Sequence, residues 1–266
     1  PGAQKARDYI TAQLKALGLT VEEQPFEART PAGPTRMVNL RATLPGPSSS
    51  GQGPSTLRPD SGQASSGQGR LIIAGHYDTK LFREFAFVGA NDGGSSAAFL
   101  IELARVLKDR KNALPIELLF LDGEEAVVDW NTGNDNTYGS RYYVEAARQA
   151  GTLPQVRALV LVDMIGDRDL RVSRESNSTA WLTDIIWGVA RRLNRREFIN
   201  RETPIEDDHL RFLEAGVPAV DIIDLDYPAW HTAGDTLDKV SAASMQAVGD
   251  VLLAALPELE KRLIKP

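Results

Sequence analysis

Short apolar segments alternate with amphipathic ones along most of the chain, and this alternation constrains the fold more than any other feature of the sequence. Apolar runs of strand length are predicted at 71–74, 116–121, 158–163 and 217–223. Short buried strands that alternate with helices form a largely parallel sheet, and the helices cover both of its faces. We therefore expect an α/β fold, a three-layer sandwich whose central sheet is mixed and mostly parallel.

The helices are indicated by apolar residues at three- and four-residue spacing. The first helix is predicted over 3–17 and ends at Gly18. The two alternating segments that follow, 19–28 and 36–44, predict a hairpin that turns near 31–34. The later helices are predicted at 95–108, 138–148, 179–192 and 241–263.

One tract interrupts this pattern. Between about 46 and 69 nearly every residue is Gly, Ser, Pro or Gln, which leaves too little apolar surface to offset the entropy of ordering. Because a strand signal resumes directly after the tract, we interpret it as a flexible surface loop rather than a linker between domains. A chain of 266 residues is compatible with one large α/β domain, so we predict a single catalytic domain over 1–266.

Charge and composition exclude several classes of function. The formal net charge is −6 and no basic block is present, so we predict no nucleic-acid partner. No apolar run reaches the roughly 18 residues of a membrane span, which predicts no membrane insertion. The sequence contains no cysteine, so disulfides, thiolate metal ligands and a thiol nucleophile are excluded. Any metal ligands must come from Asp, Glu and the three histidines.

Acidic or imidazole side chains lie at or beyond the ends of several predicted strands. Ligands of such sheets bind beyond the carboxyl ends of the strands, so these side chains form a candidate site. Asp92 adds to them from a glycine-containing segment before a helix, where the backbone can approach a ligand closely. A catalytic zinc takes about three such nitrogen and oxygen ligands and keeps one open position. The strand-end residues are His76, Asp78, Glu124, Glu125, Asp163 and His231.

Each of these residues also has a structural interpretation. Taken alone, His76, Asp92 or Asp163 reads as a capping or turn residue. An isolated Glu-Glu pair is usually solvated surface, although two adjacent acids that point in different directions can divide metal binding from proton transfer. His209 follows acidic residues and starts a helical pattern, so we interpret it as a residue of a helix N-terminus. The recurrence of the whole set at successive strand ends favours a functional site.

Several segments together resemble the zinc-dependent M28 peptidase superfamily and, within it, the glutaminyl cyclases of animals and bacteria. The resemblance spans residue 76 to about residue 240, and its specificity lies in the order and spacing of six segments. They are Gly-His-Tyr-Asp-Thr-Lys at 75–80, Phe-Val-Gly-Ala-Asn-Asp at 87–92, Leu-Asp-Gly-Glu-Glu-Ala at 121–126, Tyr-Gly-Ser-Arg at 138–141, Glu-Asp-Asp-His at 206–209 and Trp-His-Thr at 230–232.

The resemblance implies an M28 exopeptidase-like fold and an acyltransferase. Its reaction would be the zinc-dependent cyclisation of N-terminal glutamine of peptides to pyroglutamate, with release of ammonia. Carried over to this sequence, the resemblance implies one zinc per chain, bound by Asp92, Glu125 and His231. It implies that Glu124 is the general acid and base.

The resemblance also implies supporting roles. Asp207 and Asp163 would assist the catalytic acid. Trp130 and Trp230 would form the aromatic walls around the substrate's glutamine side chain, and their position in loops beside the candidate ligands also favours a pocket wall over the core.

Two alternatives stay open. His76 and Asp163 match ligands of the two-zinc aminopeptidases in the superfamily, and with a second zinc the chain would hydrolyse N-terminal residues of peptides. Trp130, Trp230 and the segment 206–209 favour the cyclase instead. The other alternative is a catalytically silent peptide-binding module that keeps the fold, and the intact set of acids and His at the site argues against it.

Three residues depart from the pattern of the animal cyclases. Asp221 stands where those enzymes have a His, and Gly93 replaces a Ser after the metal-binding Asp. An acid at 221, beside Asp163 and Asp207, is expected to leave at least one of these acids protonated at neutral pH. Gly75 replaces a disulfide cysteine, which favours a bacterial branch.

The remaining expectations concern the setting of the protein. The resemblance implies export to the periplasm or the medium, with a signal peptide that this chain does not contain. We expect a monomer that acts on peptides or proteins with N-terminal glutamine.

Overall fold

A computed structural model describes residues 2–47, 69–131 and 134–264. It confirms the α/β fold, with a mixed central sheet and helices on both faces. Of the tract predicted to be a flexible loop, positions 48–68 lie outside the described residues. The assignment of 1–266 to one catalytic domain stays a prediction.

The central sheet has six strands in the order β1-β2-β4-β3-β5-β8, and β6 pairs with β7 in a small parallel sheet of its own. In the central sheet β3 is parallel to β4 and β5, and β5 is parallel to β8, whereas β2 is antiparallel to β1 and β4. The strands are β1 (Val21–Thr30), β2 (Gly33–Leu44), β3 (Arg70–His76), β4 (Ile116–Leu121), β5 (Val156–Asp163), β6 (Val172–Glu175), β7 (Phe198–Thr203) and β8 (Ala219–Ile223).

Among the described residues, four α-helices pack on one face of the central sheet and two on the other. In β3, Leu71 and Ile73 belong to the core of the first face, and Ile72 and Ala74 belong to the core of the second. Successive strand residues point to opposite faces, so a strand that is covered on both faces appears in the sequence as an unbroken apolar run. The first face carries α1 (Gly2–Ala16), α2 (Gly94–Leu107), α4 (Ala180–Arg192) and α6 (Ala242–Leu263), and the second carries α3 (Tyr138–Gln149) and α5 (His209–Glu214).

The parallel strands place the polar strand-end residues together at the edge of the sheet that is formed by the carboxyl ends of these strands. His76 is the last residue of β3 and Asp163 is the last residue of β5. Glu124 and Glu125 follow β4 after a two-residue turn, and His231 lies in the loop after β8. Within the described ranges, no helix combines the length and the apolar character that a membrane span requires.

Candidate active site

Asp92, Glu125 and His231 come together at this edge and form what we call the open ligand group. The Nε2 atom of His231 lies 3.3 Å from Asp92 Oδ2 and 3.0 Å from Glu125 Oε1. One potential ligand atom from each residue lies within 4.8 Å of the other two. Asp92 Oδ2 is buried and makes no hydrogen bond within the described structure, which is unfavourable unless a ligand satisfies it. The donor types and this unsatisfied oxygen fit a zinc ion.

His76, Asp92 and Asp163 form a second group, the sealed ligand group, which shares Asp92 with the first. His76 Nε2 lies 3.3 Å from Asp92 Oδ1 and 3.0 Å from Asp163 Oδ1. The side chain of His76 is only 2% exposed, whereas that of His231 is 24% exposed. The donor sets therefore fit one or two metal ions, and the number of ligands does not distinguish a one-zinc site from a two-zinc site.

Glu124 is buried next to the open ligand group and lines the same pocket. Burial raises the pKa of Glu124 well above its ordinary value, His76 opposes this rise, and the charge of Asp207 adds to it. A carboxyl group with a raised pKa can both accept and donate a proton near neutral pH.

The pocket above the open ligand group has a volume of about 410 Å³. Trp130 and Trp230 both line it, and Trp130 Nε1 donates a hydrogen bond to Glu206 Oε2 at 3.3 Å. Trp230 stacks on His231, with ring centroids 4.3 Å apart. Apolar walls with a few converging polar groups are typical of pockets for small ligands. Other lining residues include Lys80, Glu124, Asp163, Ile205, Asp207, Ile223 and Leu225.

Asp207 connects the pocket to a buried polar network. It is 3% exposed, and its Oδ2 makes no hydrogen bond within the described structure. Burial raises the pKa of Asp207 well above its ordinary value, and the charges of Asp163 and Asp208 add to the rise. The next residue, Asp208, accepts a hydrogen bond from the Ser140 hydroxyl.

Asp221 lies deeper, in the interior of β8, and does not line the pocket. Its Oδ2 is 3.6 Å from Nδ1 of His209, which begins α5 as predicted and whose Nε2 lies 3.1 Å from Glu175 Oε2. Burial raises the pKa of Asp221, and the charge of Asp207 adds to the rise. The pKa values of Asp207 and Asp221 are thus both raised, which is the direction that a buried cluster of acids predicts.

The departures at Gly93 and Gly75 have steric reasons. Gly93 has φ 80°, a left-handed conformation that favours glycine, and a Cβ atom there would lie 2.4 Å from the carbonyl oxygen of Asp78 and 3.2 Å from Cε1 of His76. A Cβ atom on Gly75 would lie 2.7 Å from the Cβ of Ser96. Gly93 therefore allows a close approach to Asp78 and His76, and Gly75 allows a close approach between β3 and α2.

Three carboxylates hold the loops of the site but have no role that could be predicted from the sequence. Asp78, predicted only to lie at a strand end, accepts hydrogen bonds from the backbone N–H groups of Glu124 at 3.1 Å and Glu125 at 3.2 Å. Asp135 accepts hydrogen bonds from three successive backbone N–H groups at 127–129 and so holds the loop that leads to Trp130.

The third of these carboxylates, Asp235, joins the two loops that carry the candidate ligands Asp92 and His231. It accepts hydrogen bonds from the N–H groups of Asn91 at 2.8 Å and Asp92 at 3.1 Å, and from the Tyr227 hydroxyl at 2.8 Å. Because Asp235 lies four residues after His231, these bonds couple the position of one ligand to that of another. The only feature of the sequence that marks Asp235 is its place after a glycine in a turn, and this feature does not identify the groups that donate hydrogen bonds to it.

Comparison with known proteins places this chain in a family. Residues 59–256 match the model of peptidase family M28. The chain belongs to this family. It is 38% identical to an Acidobacteriales bacterium glutaminyl cyclase of known structure, with a TM-score of 0.87 over 98% of this chain and 87% of that one.

Two curated relatives also carry names of the glutaminyl-peptide cyclotransferase type. A glutaminyl-peptide cyclotransferase-like protein of Mus musculus is 30% identical over 97% of this chain and 70% of its own length. The glutaminyl-peptide cyclotransferase of Drosophila melanogaster is 30% identical over 90% of this chain and 70% of its own length. The predicted resemblance is confirmed, and with it the prediction of an M28 enzyme of the glutaminyl cyclase type.

Proposed function

We propose that this M28 protein cyclises the N-terminal glutamine of peptides or proteins to pyroglutamate and releases ammonia, with one zinc ion in the open ligand group. One observation carries the proposal: Glu124 is buried beside that group in a pocket with two tryptophan walls. This arrangement combines candidate metal ligands, a carboxyl group suited to proton transfer and two aromatic side chains in the wall of the pocket that would take the planar amide.

The chain's own residues have distinct tasks in this reaction. A zinc ion held by Asp92, Glu125 and His231 would supply Lewis-acid polarisation of the substrate's γ-carbonyl group. The substrate's α-amine forms a bond to the side-chain amide carbon, the bond from that carbon to the amide nitrogen breaks, and ammonia leaves. Glu124 accepts a proton from the attacking amine and donates it to the departing nitrogen, so no proton is gained or lost overall.

The other site residues position and tune these groups. Because the nucleophile and the electrophile belong to the same residue of the substrate, orientation is the main requirement, and Trp130 and Trp230 supply it. Asp207 assists Glu124 by its negative charge, and Asp163 acts on Asp207 in the same way.

The sealed ligand group favours a second candidate function, a two-zinc aminopeptidase. His76 and Asp163 would hold a second ion beside the shared Asp92. In that case Glu124 would activate a water molecule for hydrolysis of the first peptide bond. The two candidate functions differ in both product and metal content.

One combined experiment separates them. Ammonia release from a Gln-initiated dipeptide is measured beside cleavage of a chromogenic leucyl substrate, with zinc content determined on the same sample. Ammonia release with about one zinc per chain supports the cyclase. Leucyl cleavage with about two zinc ions moves the assignment to the aminopeptidase, and neither activity in a metallated sample moves it to a silent peptide-binding module.

The proposal extends to the setting of the enzyme. We propose a bacterial, exported monomer, and the absence of cysteine and the similarity to a bacterial glutaminyl cyclase support the bacterial origin. Light scattering coupled to size-exclusion chromatography tests the monomer, and a mass near 29.0 kDa is the expected result.

A further inference from the structure

His231 is held in an unusual way for a metal ligand. Its backbone has φ 54°, a left-handed conformation that non-glycine residues rarely adopt, so its surroundings must stabilise it. Its polar contacts are one-sided, because Nε2 faces Asp92 and Glu125 while no described residue hydrogen-bonds Nδ1. A metal-bound His usually donates from its second nitrogen to a fixed acceptor, and that bond sets the plane of the ring. Besides the contacts of Nε2, contacts with the ring itself are what the described residues offer to orient this imidazole.

Aromatic rings surround the imidazole of His231. Trp230 stacks on it, with centroids 4.3 Å apart and planes inclined by 27°. Phe82 and Phe87 contact it edge to face, at centroid distances of 5.7 Å and 6.2 Å and interplanar angles of 72° and 86°. These separations are the ones at which aromatic pairs attract. Contacts from one stacked ring and two perpendicular rings restrict rotation of the imidazole.

The two phenylalanines belong to a different loop from His231. They lie in the segment that runs from the end of β3 to Asp92, so the contacts tie the loop of one ligand to the loop of another. Phe82 and Phe87 also contact each other edge to face at 5.3 Å. Phe85 stacks on Phe82 at 4.5 Å, but its ring makes no contact with His231.

We propose that Trp230, Phe82 and Phe87 form an aromatic clamp that sets the imidazole plane of His231 and so tightens metal binding by the open ligand group. The proposal rests on the zinc ligands proposed above but not on the reaction. The clamp orients Nε2 before the metal arrives, so less ring freedom is lost when the metal binds. Phe82 and Phe87 are positioning residues, because they act through His231.

The test compares zinc affinity in Phe82→Leu, Phe87→Leu and the matched control Phe85→Leu. The control also removes a phenyl ring from this loop, but Phe85 does not contact His231. The dissociation constant for Zn²⁺ is measured by competition with a chelator, and zinc release is followed after dilution into excess chelator. We expect Phe82→Leu and Phe87→Leu to bind zinc about three- to tenfold more weakly, with faster release. Phe82→Tyr keeps an aromatic ring and is expected to retain the wild-type affinity.

Two controls keep the result interpretable. The thermal midpoint of unfolding of each metal-free variant shows whether it folds. If Phe82→Leu does not fold, Phe87→Leu alone tests the proposal. An unchanged zinc dissociation constant in the folded clamp variants overturns the proposal, and so does an equal loss of affinity in Phe85→Leu. Zinc affinity is measurable in a chain without cyclase activity, so failure of the proposed reaction and failure of the clamp are separate outcomes.

Discussion

The open and sealed ligand groups share Asp92, and each adds one imidazole and one further carboxylate, yet their surroundings differ. His231 borders a pocket of about 410 Å³ with two tryptophans, whereas His76 is buried and is absent from the walls of that pocket. A catalytic metal needs an open coordination position, and an imidazole at a pocket wall leaves room for one. Asp163 of the sealed group also lines the pocket, so the two groups differ in the exposure of their imidazoles rather than in donor type.

The most severe test removes one imidazole from each group. We expect His231→Asn to lose bound zinc and to lower kcat/KM on the order of 10⁴-fold, because a ligand at the pocket is removed. The matched variant His76→Asn is expected to keep about one zinc and to lose about tenfold in kcat/KM. Zinc content and ammonia release are measured on the same samples. A wild type with two zinc ions and a His76→Asn variant with one would contradict the one-metal cyclase.

A second test asks whether Glu124 moves protons or binds metal. Glu124→Gln keeps the size of the side chain but cannot accept a proton, so we expect kcat to fall about 10³-fold with zinc content unchanged. Glu125→Gln, at the neighbouring position, is expected to lower zinc affinity as well. Metal analysis and initial rates on the Gln-initiated dipeptide distinguish the two effects. Full activity of Glu124→Gln would remove this residue from the mechanism.

A third test weakens the link between the ligand loops. We expect Asp235→Asn to lower zinc affinity about ten- to one hundredfold, because the neutral amide holds the N–H groups at 91 and 92 less firmly. Asp135→Asn is the matched control, since that carboxylate also holds backbone N–H groups but supports the Trp130 loop. The control is expected to change KM and to leave zinc affinity unaltered. Equal zinc affinity in the two variants would show that Asp235 does not position the ligands.

The smallest effect is expected at Glu175, where a change of pH alters the free energy of unfolding. Burial alone would raise the pKa of Glu175, but bonds from His209 and from the N–H groups of Asn177 and Ile205 outweigh it and lower the pKa to about 2. The folded state therefore gains stability from this carboxylate above about pH 4.5, its ordinary pKa, and loses the gain as pH falls toward 2.

The measurement is the free energy of unfolding of the metal-free wild type and of Glu175→Gln at pH 6 and pH 3. The difference between the two proteins is expected to shrink by on the order of 1–2 kcal/mol at pH 3, after allowance for solvent screening. A difference that stays constant with pH would show that Glu175 does not titrate in this way.

Much of the fold could be predicted because its elements are strongly periodic. β4 was predicted over 116–121 and occupies Ile116–Leu121, and α4 was predicted from 179 and begins at Ala180. β6 was missed because it has only four residues, and β7 was missed because only one of its six residues is buried. A strand with little burial leaves a weak hydrophobic pattern.

The candidate site also contains residues that could be predicted from the sequence and residues that could not. Asp92, Glu125 and His231 could be selected from the sequence because zinc chemistry requires their residue types, and the resemblance placed them in order. Asp235 could not, because its partners are backbone N–H groups, one of them 143 residues away, and an N–H group carries no sequence signature. The aromatic contacts of His231 also depend on how two distant loops meet.

The shared carboxylate of Asp92 has a consequence for stepwise metal equilibria. Its Oδ2 faces the open group and its Oδ1 faces the sealed group, so a single negative charge serves both sites. An ion held at the open group would use part of that charge and would repel a second cation nearby, which would make the second binding constant smaller than the first. The number of zinc ions bound would then depend on the free zinc concentration, and scarce zinc would favour the singly loaded form.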